Sequence, residues 1–382
     1  LAEALRRHRL GSFSTRSLAN VVYSWGVLRF DQEDLLQAVC AHAAERVPEC
    51  SAQGLANLVY ALGLLRRRDA GGLLDAACGQ VPPRLAEFAP QELSNIAYAL
   101  ALLKVRRAEV LQALCSGLLS RLPQLTTQGI SNSVYSLGLL RFRHRRLLSA
   151  VCAHAPSRLE HFTEQEVSNT VYALALLRFR QECFLRAACA EVQGRMAEFK
   201  PRGLSSMLYA LSLLDFRQDA FLEAACAHAC GRLPAFNAQD MSNAVYALGL
   251  LEFEHQAFLL AVGREMAPRL PEFTGQGIAN VVYAMGLLQH RDEGLLRAVC
   301  EHVPGRLAEL TEQHLSNLLY ALGLLGFAHA GLLRAAARHV PQMASEFTSQ
   351  GLCITAYGLA LLRFRVGIGP RGGRAAVPRG RG

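Results

Sequence analysis

The sequence predicts an all-α chain, a right-handed α-solenoid of ten 37-residue helix-turn-helix repeats. Three observations lead there. Ten segments superimpose on an apolar anchor at Phe13, Cys50, Phe88, Leu125, Phe162, Phe199, Phe236, Phe273, Leu310 and Phe347. Every spacing is 37 except 50 to 88, which is 38 because of an extra residue in the Val81-Pro82-Pro83 stretch. Apolar residues follow helical spacing throughout and no β-alternation appears, which excludes sheet-containing repeats such as the leucine-rich type. Fixed positions also hold small side chains, as stacked helices require. The segments are repeats 1 to 10, and positions within each are counted from its anchor.

Eight of the ten repeats open with Ser, Thr or Asn one past the anchor (Ser14, Ser51, Thr126, Thr163, Asn237, Thr274, Thr311, Thr348), an N-cap whose oxygen accepts from first-turn amides. Pro90 and Pro201 fall in the next slot, where proline is tolerated. Helix A should run about 15 residues, to the Leu-Leu pair at Leu64-Leu65 or Leu176-Leu177. A short turn with Arg and Phe follows. A second apolar pattern, Phe184-Leu185 with Ala188-Cys189, then gives helix B. Eleven past the anchor the residue is always Ala, Ser or Gly (Ser24, Ala61, Ala99, Ser136, Ala173 and onward), and at thirteen it is Gly, Ala or Ser (Gly26, Gly63, Ala101, Ser212, Ala360). Nine repeats are complete and the tenth stops after helix A. The domain reading is therefore 1–12 as the end of a preceding repeat, 13–365 as the solenoid, and 366–382 as an Arg/Gly-rich disordered tail. Opening inside a helical pattern at Leu1, the chain reads as a fragment.

Composition narrows the function classes. Of 382 residues, 51% are hydrophobic and 19% charged, enough apolar material for an extensive core. The longest apolar runs, such as Ala97 to Leu103, fall short of the ~20 residues of a membrane span, so we read the chain as soluble. The net charge of +9 is uneven. Residues 1–191 carry 22 Arg/Lys against 16 Asp/Glu, residues 192–362 carry 12 against 15, and the last twenty carry six against none. A basic surface attracts nucleic acid or acidic lipid.

Alignment removes most apparent sites. Seven of eleven cysteines (Cys40, Cys78, Cys115, Cys152, Cys189, Cys226, Cys300) share one helix B position and read as core. Helices about 10 Å apart cannot share a zinc whose ligands sit ~2.3 Å away, and Cys226 with Cys230 lacks a second ligand pair. So many unpaired thiols fit a reducing compartment. His42, His154, His228, His302 and His339 also recur at one position, and all ten tyrosines, Tyr23 to Tyr357, occupy another. A tyrosine stripe reads as core with satisfied hydroxyls more readily than as a stacking platform. No phosphate loop, nucleophile elbow or His-Glu metal motif is present. We expect no catalytic residues, no metal, no cofactor and no small-molecule substrate; the chain is not an enzyme.

What remains is a set of rows. Arginine precedes the anchor by four in nine repeats (Arg9 to Arg306), and five have Glu three residues on. That position suits a helix B terminus. A second arginine row lies in the A–B turn at Arg68, Arg106, Arg143, Arg180, Arg217, Arg291 and Arg365. Without a regular acidic partner, it is the expected phosphate track. Gln three past the anchor (Gln91, Gln128, Gln165 and others) and Asn seven past (Asn95, Asn132, Asn169 and others) lie on one stripe of helix A. They are either an amide ladder bonding from repeat to repeat or a ligand-facing row. Reading of a ligand would fall to positions that vary: four past the anchor, where glycine alternates with Glu92, Glu166, Asp240 and His314, and eight past, mostly apolar. Apolar groups cannot hydrogen-bond base edges, which weakens a one-base-per-repeat code.

The unit Gln-x-Leu-Ser-Asn-x-x-Tyr-Ala-Leu-x-Leu-Leu, as in Gln313 to Leu325, resembles the 37-residue heptatricopeptide and octotricopeptide-like repeats of organellar RNA-binding proteins. It is similar also to the helical repeat of RNA-editing substrate-binding complex proteins and to the region before the RAP domain of FAST-kinase-like proteins. The resemblance covers residues 13–365. It implies an RNA-binding solenoid in the mitochondrion or plastid, acting in RNA processing, editing, stability or translation. Its partners would be RNA, single-stranded in particular, and other proteins of an RNA-processing complex. No RAP-like segment follows; the Arg/Gly end resembles segments that bind RNA without sequence preference, or is a terminus of no consequence. The alternative is an armadillo- or HEAT-like scaffold holding an extended peptide along the Asn row.

Overall fold

The computed structural model describes residues 13–364 apart from Asp31, Asp69 and Gly71. The expected leading segment 1–12 with Arg9, the turn residue Arg365 and the tail 366–382 lie outside the described residues. All regular structure in the described residues is helical. The chain divides into two compact units, Leu1–Glu191 and Val192–Gly382, and each is a stack of helix A–helix B repeats, an α-solenoid.

In the first unit helix A runs Thr15–Leu28, Ala52–Leu65, Pro90–Leu102, Thr127–Leu139 and Glu164–Leu176; helix B runs Glu33–Glu45, Leu73–Gln80, Ala108–Ser120 and Arg145–His154. The second unit continues with A helices Pro201–Leu213, Ala238–Leu250, Gly275–Leu287, Glu312–Leu324 and Ser349–Leu361. Its B helices are Asp219–Cys230, Gln256–Met266, Glu293–His302 and Ala330–His339. Helix B of repeat 5, Glu182–Gly194, ends in this second unit. A 3-10 turn brings each helix B to the next anchor, as at Leu122–Gln124 and Leu233–Ala235.

The predicted caps are all in place. The side-chain oxygens of Ser14, Ser51, Thr126, Thr163, Asn237, Thr274, Thr311 and Thr348 accept from the amide three residues on. Pro90 and Pro201 begin their helices. The anchors, such as Phe88, Phe162 and Phe273, are 1% exposed.

Within each unit every helix A lies against the helix A of the next repeat, and the contact runs through the small residues. A Cβ at Gly26 would lie 2.9 Å from Ala61 Cα, at Gly63 2.8 Å from Ala99 Cα, and at Gly249 2.6 Å from Ala284 Cα. Where position thirteen is glycine it seats on position eleven of the next repeat with no room for a Cβ, whereas Ala101 and Ser212 hold the same position in repeats 3 and 6. The seven cysteines of helix B are buried to 2% exposure or less. Burial pushes the thiols of Cys40, Cys115, Cys152, Cys189 and Cys300 up to about 12, so they stay protonated and serve packing. Among the described residues no three His, Cys, Asp or Glu side chains gather as metal ligands would. No described helix is long and apolar enough to cross a membrane.

The close approach predicts its own sensitivity. Gly249→Val forces bulk into a 2.6 Å gap against backbone and should lower unfolding free energy by about 1–3 kcal/mol. Gly305→Ala, whose Cβ would meet nothing within 4 Å, should leave it within about 0.5 kcal/mol. Urea unfolding monitored by circular dichroism measures both; equal losses would mean that helix A contact does not limit stability.

Candidate nucleic-acid interface

Helix A ends the same way in every described repeat. The amide sixteen past the anchor bonds a carbonyl three residues back, and the next amide bonds one five back: Lys104 to Ala101 (3.0 Å) and Val105 to Leu100 (2.9 Å), or Glu252 to Gly249 (3.2 Å) and Phe253 to Leu248 (3.0 Å). This closure needs positive φ at position sixteen, normally a glycine's task because a Cβ there costs about 1–2 kcal/mol. Gly326 fills it that way, with φ 60°. In the first unit the position holds Arg29, Arg66, Lys104, Arg141 and Arg178, with φ between 50° and 55°. All five are exposed. None meets a carboxylate among the described residues; Arg141 only touches the Leu176 carbonyl at 3.5 Å. In the second unit the same position reads Asp215, Glu252, Gln289, Gly326 and Arg363.

This row was not among the expected sites. Its signal was present in the sequence as five consecutive basic residues where a helix C-terminus calls for glycine. The left-handed turn that makes them notable shows only in the backbone.

The predicted turn track, two residues further on, divides by unit. Arg68 and Arg106 are exposed with no carboxylate partner among the described residues. Arg143 lies over the Phe179 ring at 5.6 Å, and Arg180 pairs with Glu182 at 2.9 Å. In the second unit Arg217 and Arg291 are exposed but engaged by neighbouring groups of the protein. Arg217 pairs with Asp219 at 2.7 Å, donates to the Leu251 and Glu252 carbonyls at 3.1 and 2.8 Å, and covers Phe253 at 5.4 Å. Arg291 pairs with Glu293 at 2.8 Å and covers Phe327 at 5.9 Å. The expectation that this row lacks acidic partners is corrected for Arg180, Arg217 and Arg291: an acid two residues on supplies one. The first unit keeps the open end of the track, and a depression of about 420 Å³ there is lined by Gln112, Ser116, Ser120, Arg143, Arg145 and Arg146.

The arginines before the anchor are internal staples. Arg46, Arg158, Arg232 and Arg269 donate to the preceding anchor's carbonyl, at Phe13 (2.6 Å), Leu125 (2.9 Å), Phe199 (3.4 Å) and Phe236 (3.0 Å). The expected glutamates complete them: Arg46–Glu49 (2.8 Å), Arg84–Glu87 (2.6 Å), Arg195–Glu198 (3.9 Å), Arg269–Glu272 (2.9 Å) and Arg306–Glu309 (2.6 Å). The recurrent histidine joins this chain, since Arg232 donates to His228 at 2.6 Å and Arg306 to His302 at 2.9 Å.

The positions expected to read a ligand are structural. Glu92 and Glu166 reach back to the amides of Ala89 (2.7 Å) and Thr163 (3.0 Å) as capping boxes, and His314 does so toward Thr311. Asp240 is 6% exposed and accepts from Ser205 at 3.2 Å. Position eight is core, with Leu58, Ile96, Met207 and Val281 at 0%. These four polar residues therefore leave the ligand-facing set. Gln91, Gln128 and Gln165 are exposed, and Asn95, Asn132 and Asn169 half-buried. Their side-chain amides make no hydrogen bond within the protein among the described residues, so the repeat-to-repeat amide ladder is absent. Tyr23, Tyr60 and Tyr98 are also half-exposed, with ring centroids 6.4 Å apart. The hydroxyls of these three are not the satisfied core groups that were expected.

Two-helix repeats stacked through small residues, with unpaired cations along one edge of the first unit, define an α-solenoid with a polyanion-complementary surface. A family model, RNA-editing substrate-binding complex 6 protein, matches residues 134–366, well over half the chain. The chain belongs to this family. The match bears out the resemblance read from the repeat motif and sets the chain among RNA-editing complex proteins. The comparison with curated proteins returned no match.

The staples make stability depend on pH. Burial first, then the Arg232 and Arg306 charges, hold His228 and His302 below the usual imidazole range. Only the neutral ring accepts from a guanidinium. Because the folded pKa is depressed, this contribution is complete above the unfolded value of about 6.5 and is lost as pH falls below it toward the folded value. Thermal unfolding should show stability dropping between pH 7 and pH 5, and dropping less in His228→Gln/His302→Gln. Identical pH profiles would exclude the two histidines as its source.

Proposed function

We propose that the chain is a non-catalytic RNA-binding subunit of an organellar RNA-editing or RNA-processing complex, residing in the mitochondrion or plastid. It holds single-stranded RNA by its phosphates along the A–B turn edge of the first unit. The observation that carries this reading is the row Arg29, Arg66, Lys104, Arg141 and Arg178. Five successive repeats place an exposed cation on a left-handed backbone position that Gly326 fills without strain. Arg68, Arg106 and Arg143 lie two residues beyond, and the depression lined by Arg143, Arg145 and Arg146 adds two further cations to the edge. Guanidinium groups not engaged by an internal acid suit phosphate oxygens. Family membership supports RNA as the polyanion. Every such cation recurs in equivalent form, so the edge recognises backbone and carries no base code.

The strained position offers a clean test. Replacing Arg66, Lys104, Arg141 and Arg178 together by glycine removes four cations and relieves the left-handed strain. The melting temperature should hold or rise. Retention of a 20-nucleotide single-stranded RNA, followed by fluorescence anisotropy between 50 and 200 mM salt, should weaken. The log-log salt slope should flatten by about 0.7 for each phosphate that is no longer neutralised. If the variant is folded and both affinity and slope stay at the wild-type values, this edge is not the RNA interface.

A further inference from the structure

The second unit carries a different surface. In repeats 7 to 9 the outward stripe of helix A reads Gln239, Gln276, Gln313, then Asn243, Asn280, Asn317, then Tyr246, Tyr283, Tyr320. None of these side chains hydrogen-bonds within the protein among the described residues. No cation stands in these rows. A cleft of about 280 Å³ between the A helices of repeats 7 and 8 is lined by Gln239, Asn243, Gln276, Asn280, Thr274 and Glu272. Beyond the tyrosines the stripe continues into exposed leucines, Leu250 at 36% and Leu361 at 39%. In these repeats the neighbouring edge reads Glu252, Gln289 and Gly326 where the first unit has cations.

We propose that this face binds an extended polypeptide segment of a partner protein, one with apolar and basic side chains. A side-chain amide offers a donor and an acceptor together, which matches the N–H and C=O of a peptide backbone. The spacing fits. Tyr209, Tyr246, Tyr283, Tyr320 and Tyr357 stand with ring centroids 6.4, 6.4, 6.5 and 6.0 Å apart. Two residues of an extended chain advance ~6.6 Å, so alternate side chains fall into successive gaps between rings. The rings are inclined by 36° to 40° and leave no parallel slot for a base. With Glu252 alongside and 15 Asp/Glu against 12 Arg/Lys over residues 192–362, the face favours lysine or arginine over phosphate. Glu272 in the cleft adds to that field, although Arg269 is its ion-pair partner.

The surface is separate from the proposed RNA edge and is tested separately, on the full chain. The probe is a fluorescein-labelled twelve-residue peptide of four Leu-Lys-Ser repeats, read by anisotropy. Three comparisons accompany it: the same peptide N-methylated at alternate backbone nitrogens, a Leu-Glu-Ser counterpart, and a 20-nucleotide oligouridine as competitor. The Lys peptide should bind, at least tenfold more tightly than the Glu or N-methylated peptides. Asn243→Ala/Asn280→Ala/Asn317→Ala, which removes no internal hydrogen bond, should weaken it at least tenfold. The four-glycine variant of the RNA edge should bind it normally, and oligouridine should not displace it. The proposal is overturned if the Lys peptide does not bind, if N-methylation or the folded Asn variant leaves affinity unchanged, or if oligouridine displaces the peptide. N-methylation tests the backbone contacts without altering the protein.

Discussion

Everything in this molecule depends on how closely one helix A can approach the next. Position thirteen of a repeat, glycine in six of the ten, rests on position eleven of its neighbour, and where it is glycine a Cβ on it would strike the neighbouring helix. Such contact is non-directional and would tolerate sliding, so it needs a register lock. The arginine four before the anchor supplies one: Arg46, Arg158, Arg232 and Arg269 bond the carbonyl of the preceding anchor, and at Arg46 and Arg269 a glutamate three residues on orients the guanidinium. Surface ion pairs alone contribute about 0–1 kcal/mol. Their value here is geometric: each lock reproduces the same offset between successive repeats.

A reproduced offset turns single residues into rows. Once helix A is fixed, its C-terminal closure falls at the same place in each repeat, and whatever side chain stands there becomes an edge. In the first unit that edge is cationic despite a backbone cost of about 1–2 kcal/mol per residue. No carboxylate among the described residues offsets it. In the second unit only Arg363 keeps a cation at that position: Asp215 and Glu252 stand there in repeats 6 and 7, while Arg217 and Arg291, two residues on, are drawn into ion pairs and onto phenylalanine rings. The packing is the same in both units and only the edge chemistry differs.

The fold was legible because repetition multiplies weak signals. One Ser, Thr or Asn before one helix proves little, whereas eight in register with eight helix starts settle the caps, and the small-residue positions foretold the closest contacts. The site was less legible for a physical reason. Variation among repeats at position four suggested a reading function, but Glu92, Glu166 and His314 vary against glycine because the N-cap amide can be satisfied by a reaching side chain or left to water. Position eight varies because core packing tolerates Leu, Ile, Met or Thr of similar bulk. Arg180, Arg217 and Arg291 looked free because their acids sit two residues away across a turn, a spacing that helical periodicity does not flag. The left-handed cations were invisible to periodicity altogether, since sequence spacing carries no φ angle.

These corrections leave the outward rows nearly invariant from repeat to repeat: amides, tyrosines, leucines and, on the first unit, cations. A surface that presents the same group at every step cannot distinguish one base or one side chain from the next. It can measure what every residue of a polymer shares. Phosphates recur along RNA as peptide groups recur along an extended chain, and cations answer the first as amides answer the second. Partner selection then rests on net field and not on a code. The first unit's edge should bind polyanions at a strength set by salt. The second unit, with 15 Asp/Glu against 12 Arg/Lys over residues 192–362, should attract them less. Any sequence preference must enter through side chains that fit between tyrosine rings, where a methylene more or less is worth only about 1 kcal/mol, or through other members of the complex.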